Sequence, residues 1–139
     1  MRDVAYIALG SNLGDREYFL RIARDEIAAL PKTRVLAATG VEETEPLGGG
    51  PAGQGKYLNQ MLAIETELDP HELLDALHDI ERRAGRERRE RWAPRTLDLD
   101  IVKFDKQTVA DGSLVVPHPA LPDRDFWQRE LEALASTTH

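Results

Sequence analysis

Residues 4–9 form an unbroken apolar run, partly β-branched, that meets Gly10, Ser11 and Asn12, so the chain opens with a buried strand feeding a turn. Beyond Gly14 the period changes. Phe19, Ile22, Ala23, Ile27 and Leu30 recur at helical spacing, with Asp15 and Glu17 in the first turn and Pro31 beyond the last. Acidic side chains suit the positive end of a helix, and proline cannot extend one. Residues 34–43 mix Val35, Leu36 and Val41 with threonine and alanine and predict a second strand.

The stretch 46–55 carries Gly48, Gly49, Gly50, Pro51, Gly53 and Gly55, a long glycine-rich connection of the kind that serves as a working lid. Residues 57–68 alternate around Leu58, Leu62 and Ile64 and predict a central strand. Asp69 can then cap a helix, Pro70 fits its first position, and Glu72 completes a capping box. Leu73, Leu77, Ile80 and Ala84 make its buried stripe, and Gly85 ends it. A second loop covers 86–94. In the strand expected at 96–104, Leu97, Leu99 and Ile101 share one face while Asp98 and Asp100 share the other. Short strands at 109–116 and a helix at 125–135 complete the chain. Helices and strands alternate too irregularly for a doubly wound sheet, so the expected class is α+β: a ferredoxin-like α/β sandwich, with helices packed on a largely antiparallel sheet.

Length and composition narrow the function. The 139 residues suit a single domain, 1–139, with 41% hydrophobic and 31% charged residues in the globular range. With no cysteine, disulfides, thiolate metal sites and thiol nucleophiles are excluded, and any metal must be held by oxygen or imidazole. A net charge of -7 argues against a nucleic-acid binder. Arginines nonetheless crowd between 82 and 95, which allows a local anion site on an acidic protein. The apolar run at 4–9 is followed by no cleavage site, and nothing is long enough to span a bilayer, so a cytoplasmic protein without a membrane partner is expected.

The sharpest chemical signal runs from Arg91 through Trp92, Ala93, Pro94, Arg95, Thr96 and Leu97 to Asp98, Leu99 and Asp100. Carboxylates two apart on a strand share a face, with α-carbons about 6.6 Å apart, so their oxygens can converge on hard cations. Mg²⁺ prefers one or two carboxylates completed by water and substrate phosphates, and a pair of such ions can stabilise attacking and leaving oxygens together. The plain alternative is a solvated strand face, against which the adjoining Arg91, Trp92 and Arg95 weigh. Residues 48–53 formally satisfy GxGxxG but do not join a strand to a helix start, so a dinucleotide-binding reading is rejected. No GxxxxGK[ST] occurs either.

With these residues assembled, the sequence resembles the 6-hydroxymethyl-7,8-dihydropterin pyrophosphokinase family of folate biosynthesis. The resemblance rests on Gly10-Ser11-Asn12-Leu13-Gly14, Thr44-Glu45-Pro46-Leu47-Gly48, Tyr57-Leu58-Asn59, Glu81 with Gly85-Arg86, the 91–100 segment and Pro117-His118-Pro119, and covers nearly the whole chain. It implies transfer of the β,γ-pyrophosphoryl group of ATP to the pterin hydroxymethyl, releasing AMP, with two Mg²⁺ ions at Asp98 and Asp100. For the pterin it implies Tyr57 and Phe126 as stacking faces, Asn59 as the amide reading the ring edge, and Thr44, Glu45 and Leu47 as the segment completing that reading. For ATP it implies Arg86, Arg88, Trp92, Arg95, His118 and Arg124, with His78, Glu81 and Ile101 lining the site. Arg86 and Arg95 join the aspartates as the catalytic set. Such chemistry asks the protein to position reactants and neutralise charge, without a covalent intermediate. The loops at 48–55 and 86–94 would close over both substrates and exclude water.

Departures from the family pattern are His78 where a glutamine often stands, Ser113 in place of a basic residue, and Pro119 where some members carry an aromatic. Trp127-Gln128-Arg129-Glu130 replaces a usually more apolar continuation, and the chain stops early. A monomer is expected. Two rivals follow from other classes. A regulatory module would bind nucleotide or pterin without Mg²⁺-dependent chemistry, and an RNA-binding domain using the arginine cluster is opposed by the acidic balance and the 6% aromatic content.

Overall fold

The computed structural model describes residues 2–12, 14–44, 56–84 and 97–138. In chain order these form β1 (Asp3–Ser11), α1 (Arg16–Ala28), β2 (Thr33–Ala38), β3 (Glu42–Thr44), β4 (Tyr57–Thr66), α2 (Pro70–Arg83), β5 (Asp98–Phe104), β6 (Val109–Ala110), β7 (Val115–Val116), a single 3-10 turn (Leu121–Asp123) and α3 (Asp125–Thr138). The main sheet runs β2–β4–β1–β5, with β3 continuing the β2 edge along β4, and every pairing in it is antiparallel. This βαββαβ arrangement is the expected ferredoxin-like α+β sandwich.

Each sheet face is covered, which explains why β1 reads as a continuous apolar run rather than an alternating one. Ala5, Ile7 and Leu9 of β1 join Leu58, Leu62 and Ile64 of β4 beneath Leu20, Ala23 and Ile27 of α1 and Leu73, Leu77 and Ile80 of α2. The opposite face sets Tyr6, Ala8, Met61, Ala63 and Val102 against Trp127 and Leu134 of α3. Burying one leucine or isoleucine this way contributes about 1.5–3 kcal/mol, so the two layers dominate the stability.

Local chemistry sets the helix starts. Asp15 caps α1 by accepting the Tyr18 N–H at 3.1 Å, after Gly14 turns the chain at a φ of 73° that a side chain disfavours. At α2 the capping box is complete: Asp69 Oδ1 accepts the Glu72 N–H at 2.8 Å, and Glu72 Oε1 accepts the Asp69 N–H at 2.9 Å.

Three expectations need correction. First, β1 does not end before Gly10 but runs through Ser11, because Gly10 and Ser11 both pair with β4 and Gly10 also pairs with β5. Second, the single strand expected at 34–43 is two. Ala38 faces Leu62 while Glu42 faces Asn59, so three residues oppose two and the edge kinks at Thr39. The kink is held by hydrogen bonds from the Thr39 N–H to the Met61 carbonyl at 2.9 Å and from the Met61 N–H to the Thr39 hydroxyl at 3.0 Å. Third, the last helix continues past 135 to Thr138.

Candidate active site

The alternation expected at β5 is realised. Leu97, Leu99 and Ile101 are buried in the layer beneath α1 and α2, while Asp98 and Asp100 stand half-buried on the other face. A bulge then changes the phase: Ile7 faces Ile101 but Tyr6 faces Lys103, leaving Val102 as the extra residue. Val102 faces the α3 layer as alternation requires, and the shift returns Phe104 to the first layer.

β5 is an edge strand, so the outward N–H of Leu99 has no strand partner, and α2 supplies one. Glu81, only 3% exposed, accepts it through Oε2 at 2.8 Å. The residue expected to line the nucleotide site is therefore also a brace for the strand that carries the aspartates.

His118 enters from the segment after β7. Its N–H donates to the Val102 carbonyl at 2.8 Å, tying the segment to β5, and its Nδ1 accepts the Ala120 N–H at 3.0 Å. When the ring is neutral, that second bond leaves the proton on Nε2. Nε2 lies 3.6 Å from Asp100 Oδ1, an electrostatic contact longer than a hydrogen bond. The imidazole meets Trp127 edge to face at 5.0 Å, and the Arg124 guanidinium lies over the same indole at 4.3 Å. Trp127 is 2% exposed, so a core side chain orients two polar ones.

Together these elements enclose a cavity of about 380 Å³. One wall is α2, through Leu74, His78 and Glu81; the floor is residues 98–101; the far wall is the β6–β7 turn at 111–115, followed by His118 and Pro119. The turn is braced by Asp111, whose Oδ1 accepts the Ser113 N–H at 2.9 Å, the Ser113 hydroxyl at 3.0 Å and the Leu114 N–H at 3.0 Å. Its Oδ2 lies 2.9 Å from His71 Nε2 on α2, which joins the two walls. Foremost the Ser113 backbone N–H, and then the Ser113 hydroxyl, Leu114 and His71, lower the Asp111 carboxyl to about 2, against an opposing desolvation.

A second group of polar side chains lies across the sheet from the aspartates. Asn59 Nδ2 donates to Thr44 Oγ1 at 2.5 Å, and Tyr57 is paired with Thr44. Asn59 faces Gly10, and Gly10 faces Asp98, so amide, glycine and carboxylate form a row over three adjacent strands. Strand spacing puts the outer members of that row about 10 Å apart. A Cβ on Gly10 would meet Asn59 Oδ1 at 3.4 Å and Tyr57 Cδ1 at 3.5 Å, so glycine keeps the shelf between them open.

The structure thus gathers His78, Glu81, Asp98, Asp100, Ile101 and His118 around one cavity and sets Thr44, Tyr57 and Asn59 beside it on the sheet. Arg124 and Phe126 meet through Trp127, whose ring centroid is 6.2 Å from that of Phe126. Glu45, Leu47, Arg86, Arg88, Trp92 and Arg95, with the loops expected at 46–55 and 86–94, lie outside the described residues. Leu74, Asp111 and the indole of Trp127 were not singled out from sequence. Only the turn signal Asp111-Gly112-Ser113 could have pointed to the far wall.

Among the described residues no group of three or more acidic or histidine side chains could hold a metal ion by itself. The oxygen pair at 98 and 100 fits a hard cation that takes its other ligands from water and phosphate. No helix among the described residues is long and apolar enough to cross a membrane.

Comparison with known proteins places the sequence in a family. The model of the 7,8-dihydro-6-hydroxymethylpterin-pyrophosphokinase family matches residues 6–136. The chain is 42% identical over 126 residues to the 2-amino-4-hydroxy-6-hydroxymethyldihydropteridine pyrophosphokinase of Bacillus subtilis, covering 91% of this chain and 74% of that one. Identity to the enzyme of the same name from Pseudomonas aeruginosa is 43% over 130 residues, covering 94% and 79%, and to that from Methylorubrum extorquens 41% over 122 residues, covering 88% and 76%. The chain belongs to the 7,8-dihydro-6-hydroxymethylpterin-pyrophosphokinase family.

Proposed function

We propose that this protein transfers the β,γ-pyrophosphoryl group of ATP to the hydroxymethyl of 6-hydroxymethyl-7,8-dihydropterin in folate biosynthesis, in the cytoplasm and as a monomer. The pterin hydroxyl oxygen bonds to the β-phosphorus as the bond from that phosphorus to the α–β bridging oxygen breaks. AMP leaves and the hydroxyl proton passes to solvent. The observation that carries the reading is the row Asn59–Gly10–Asp98, an amide and a carboxylate on either side of a glycine, the groups that reading a ring edge and holding a cation would need.

In this reading the pterin lies at the Asn59 end, its edge met by the Asn59 amide, which Thr44 orients at 2.5 Å, with Tyr57 and Phe126 as stacking faces. Glu45 and Leu47 complete that contact. ATP occupies the cavity of about 380 Å³, the base between α2 and the β6–β7 turn against His78 and Ile101, and the phosphates toward Asp98, Asp100 and His118. Asp98 and Asp100 would hold magnesium, two ions with ATP, which would supply neutralising charge to the polyphosphate and the departing oxygen. His118, with its proton directed from Nε2, can donate to a phosphate oxygen, as can Arg124, held over the Trp127 ring at 4.3 Å. Arg86, Arg88, Trp92 and Arg95 complete the phosphate side. The residues do not need to form a bond to the substrate; they orient it and keep water out.

The test is a product assay with ATP, the pterin alcohol and Mg²⁺. AMP and a pterin carrying two added phosphates are expected. ADP as the only nucleotide product would overturn the assignment.

A further inference from the structure

The polar substitution at 127–130 puts a carboxyl group in the core. Glu130 is 6% exposed; among the described residues its Oε1 is buried with no hydrogen-bond partner, and its Oε2 accepts from the Thr39 hydroxyl at 3.3 Å. Thr39 is the kink between β2 and β3. Its hydroxyl oxygen already accepts the Met61 N–H at 3.0 Å, so the hydroxyl hydrogen is the one given to Glu130.

Two charges act on this carboxyl. Glu42 of β3 repels it, and Arg129, its neighbour on α3, attracts it but is shared with Glu42 at 3.3 Å. Of the other elements in this layer, β2 contributes Leu36 and Ala37, β4 contributes Met61 and Ala63, β1 contributes Tyr6 and Ala8, and the 3-10 turn contributes Leu121 while its Asp123 is exposed; β5 brings Val102 and one charge, Lys103, which lies over the Tyr6 ring at 5.5 Å. Burial, followed by Glu42, pushes the Glu130 carboxyl up to about 7.

Glu130 lies one helical turn after Phe126 on α3, and i, i+4 residues share a face. Thr39 leads into β3, which carries Glu42 and Thr44, and Thr44 holds Asn59. We propose that Glu130, as a neutral carboxylic acid, is a proton-linked clamp that seats α3 on the β2–β3 kink and so positions Phe126 against the Thr44–Asn59 edge. The effect on substrate rests on the pterin reading above; the clamp itself does not. Ionisation puts a second negative charge beside Glu42 in an apolar layer, and α3 must loosen to hydrate it.

The direction of the pH dependence follows. Below about 4.5 folded and unfolded chains both hold the proton, and the contribution is complete. As pH rises the unfolded chain loses its proton first, and the contribution declines until it is gone above about 7.

The experiment compares the full-length chain with Glu130→Gln and Glu42→Gln in three measurements from pH 5 to 8.5. Carbon-detected NMR of the Glu130 carboxyl is expected to show a midpoint near 7, moving to lower pH in Glu42→Gln; an ordinary glutamate midpoint overturns the clamp. Thermal unfolding of Glu130→Gln is expected to gain on the parent as pH rises; parallel curves overturn it too. If Glu130→Gln does not fold, the carboxyl midpoint in the parent and in Glu42→Gln still decides. In steady-state kinetics the parent's KM for the pterin alcohol is expected to rise about fivefold between pH 6 and 8.5 with kcat nearly constant, and Glu130→Gln to stay flat. A proton-linked stability with no such KM change overturns the positioning role. Absence of pyrophosphoryl transfer in every variant, with the NMR and thermal results intact, removes the functional reading and leaves the clamp.

Discussion

Glu81 on α2 accepts the backbone N–H of Leu99 at 2.8 Å, and Leu99 is the residue between the two aspartates. A buried carboxylate thus holds an edge strand between the two aspartates to which the proposed function assigns the metal. Glu81→Ala leaves that N–H unpaired and is expected to cost about 1–3 kcal/mol in denaturant unfolding. Glu81→Gln keeps a carbonyl acceptor and should recover most of the loss. If Glu81→Ala unfolds at the parent's midpoint with parental turnover, the brace is dispensable.

Asp98→Asn and Asp100→Asn should separate chemistry from folding. Both side chains are half-buried, outside either apolar layer, so melting temperature should change little. Turnover should fall at least about a hundredfold, as when a transition-state charge loses its partner. Calorimetric titration of Mg²⁺ with a non-hydrolysable ATP analogue should weaken in step. Near-parental rates in both variants would remove the metal role assigned to the pair.

Thr44→Val deletes the acceptor that orients Asn59, while Asn59→Ala deletes the amide itself. Both should raise KM for the pterin alcohol, Asn59→Ala by roughly tenfold or more and Thr44→Val by less, because one lost hydrogen bond is worth about 1 kcal/mol. KM for ATP should not move. Equal effects on both substrates would mean that the edge does not read the pterin.

At the far wall, Asp111→Ala unties the β6–β7 turn and its link to His71, so KM for ATP should rise several-fold with kcat preserved. The Asp111 carboxyl is lowered from 3.8 to about 2, so what it adds to stability is complete above about 3.8 and lost as pH falls through about 2. Acid unfolding monitored by circular dichroism should show Asp111→Ala and the parent converging toward pH 2. Curves that stay apart below that pH would contradict the assignment.

Much of this was written in short-range pattern. The capping box at Asp69 and Glu72, the stripe Leu73, Leu77 and Ile80, and the alternation that puts Asp98 and Asp100 on one face depend on neighbours a few residues apart. Sequence carries such relations directly, because helix and strand periods decide them. The α+β class follows from the order of those elements.

Other features required the folded chain. The kink at Thr39 arises because β3 and β2 register differently on β4, a comparison between strands that local propensity does not contain. That Glu81 also braces β5 shows only once that strand arrives beside it, 18 positions later, with an N–H to satisfy. Glu130 stands in the sequence as part of a polar run replacing a usually more apolar continuation, and α3 turns it under Thr39 and beside Glu42, where water is scarce and a like charge is near. Periodicity is a one-dimensional property that the chain displays as written. Desolvation and charge proximity exist only once distant segments share the same space, so the pattern named the elements and tertiary packing assigned several side chains their roles.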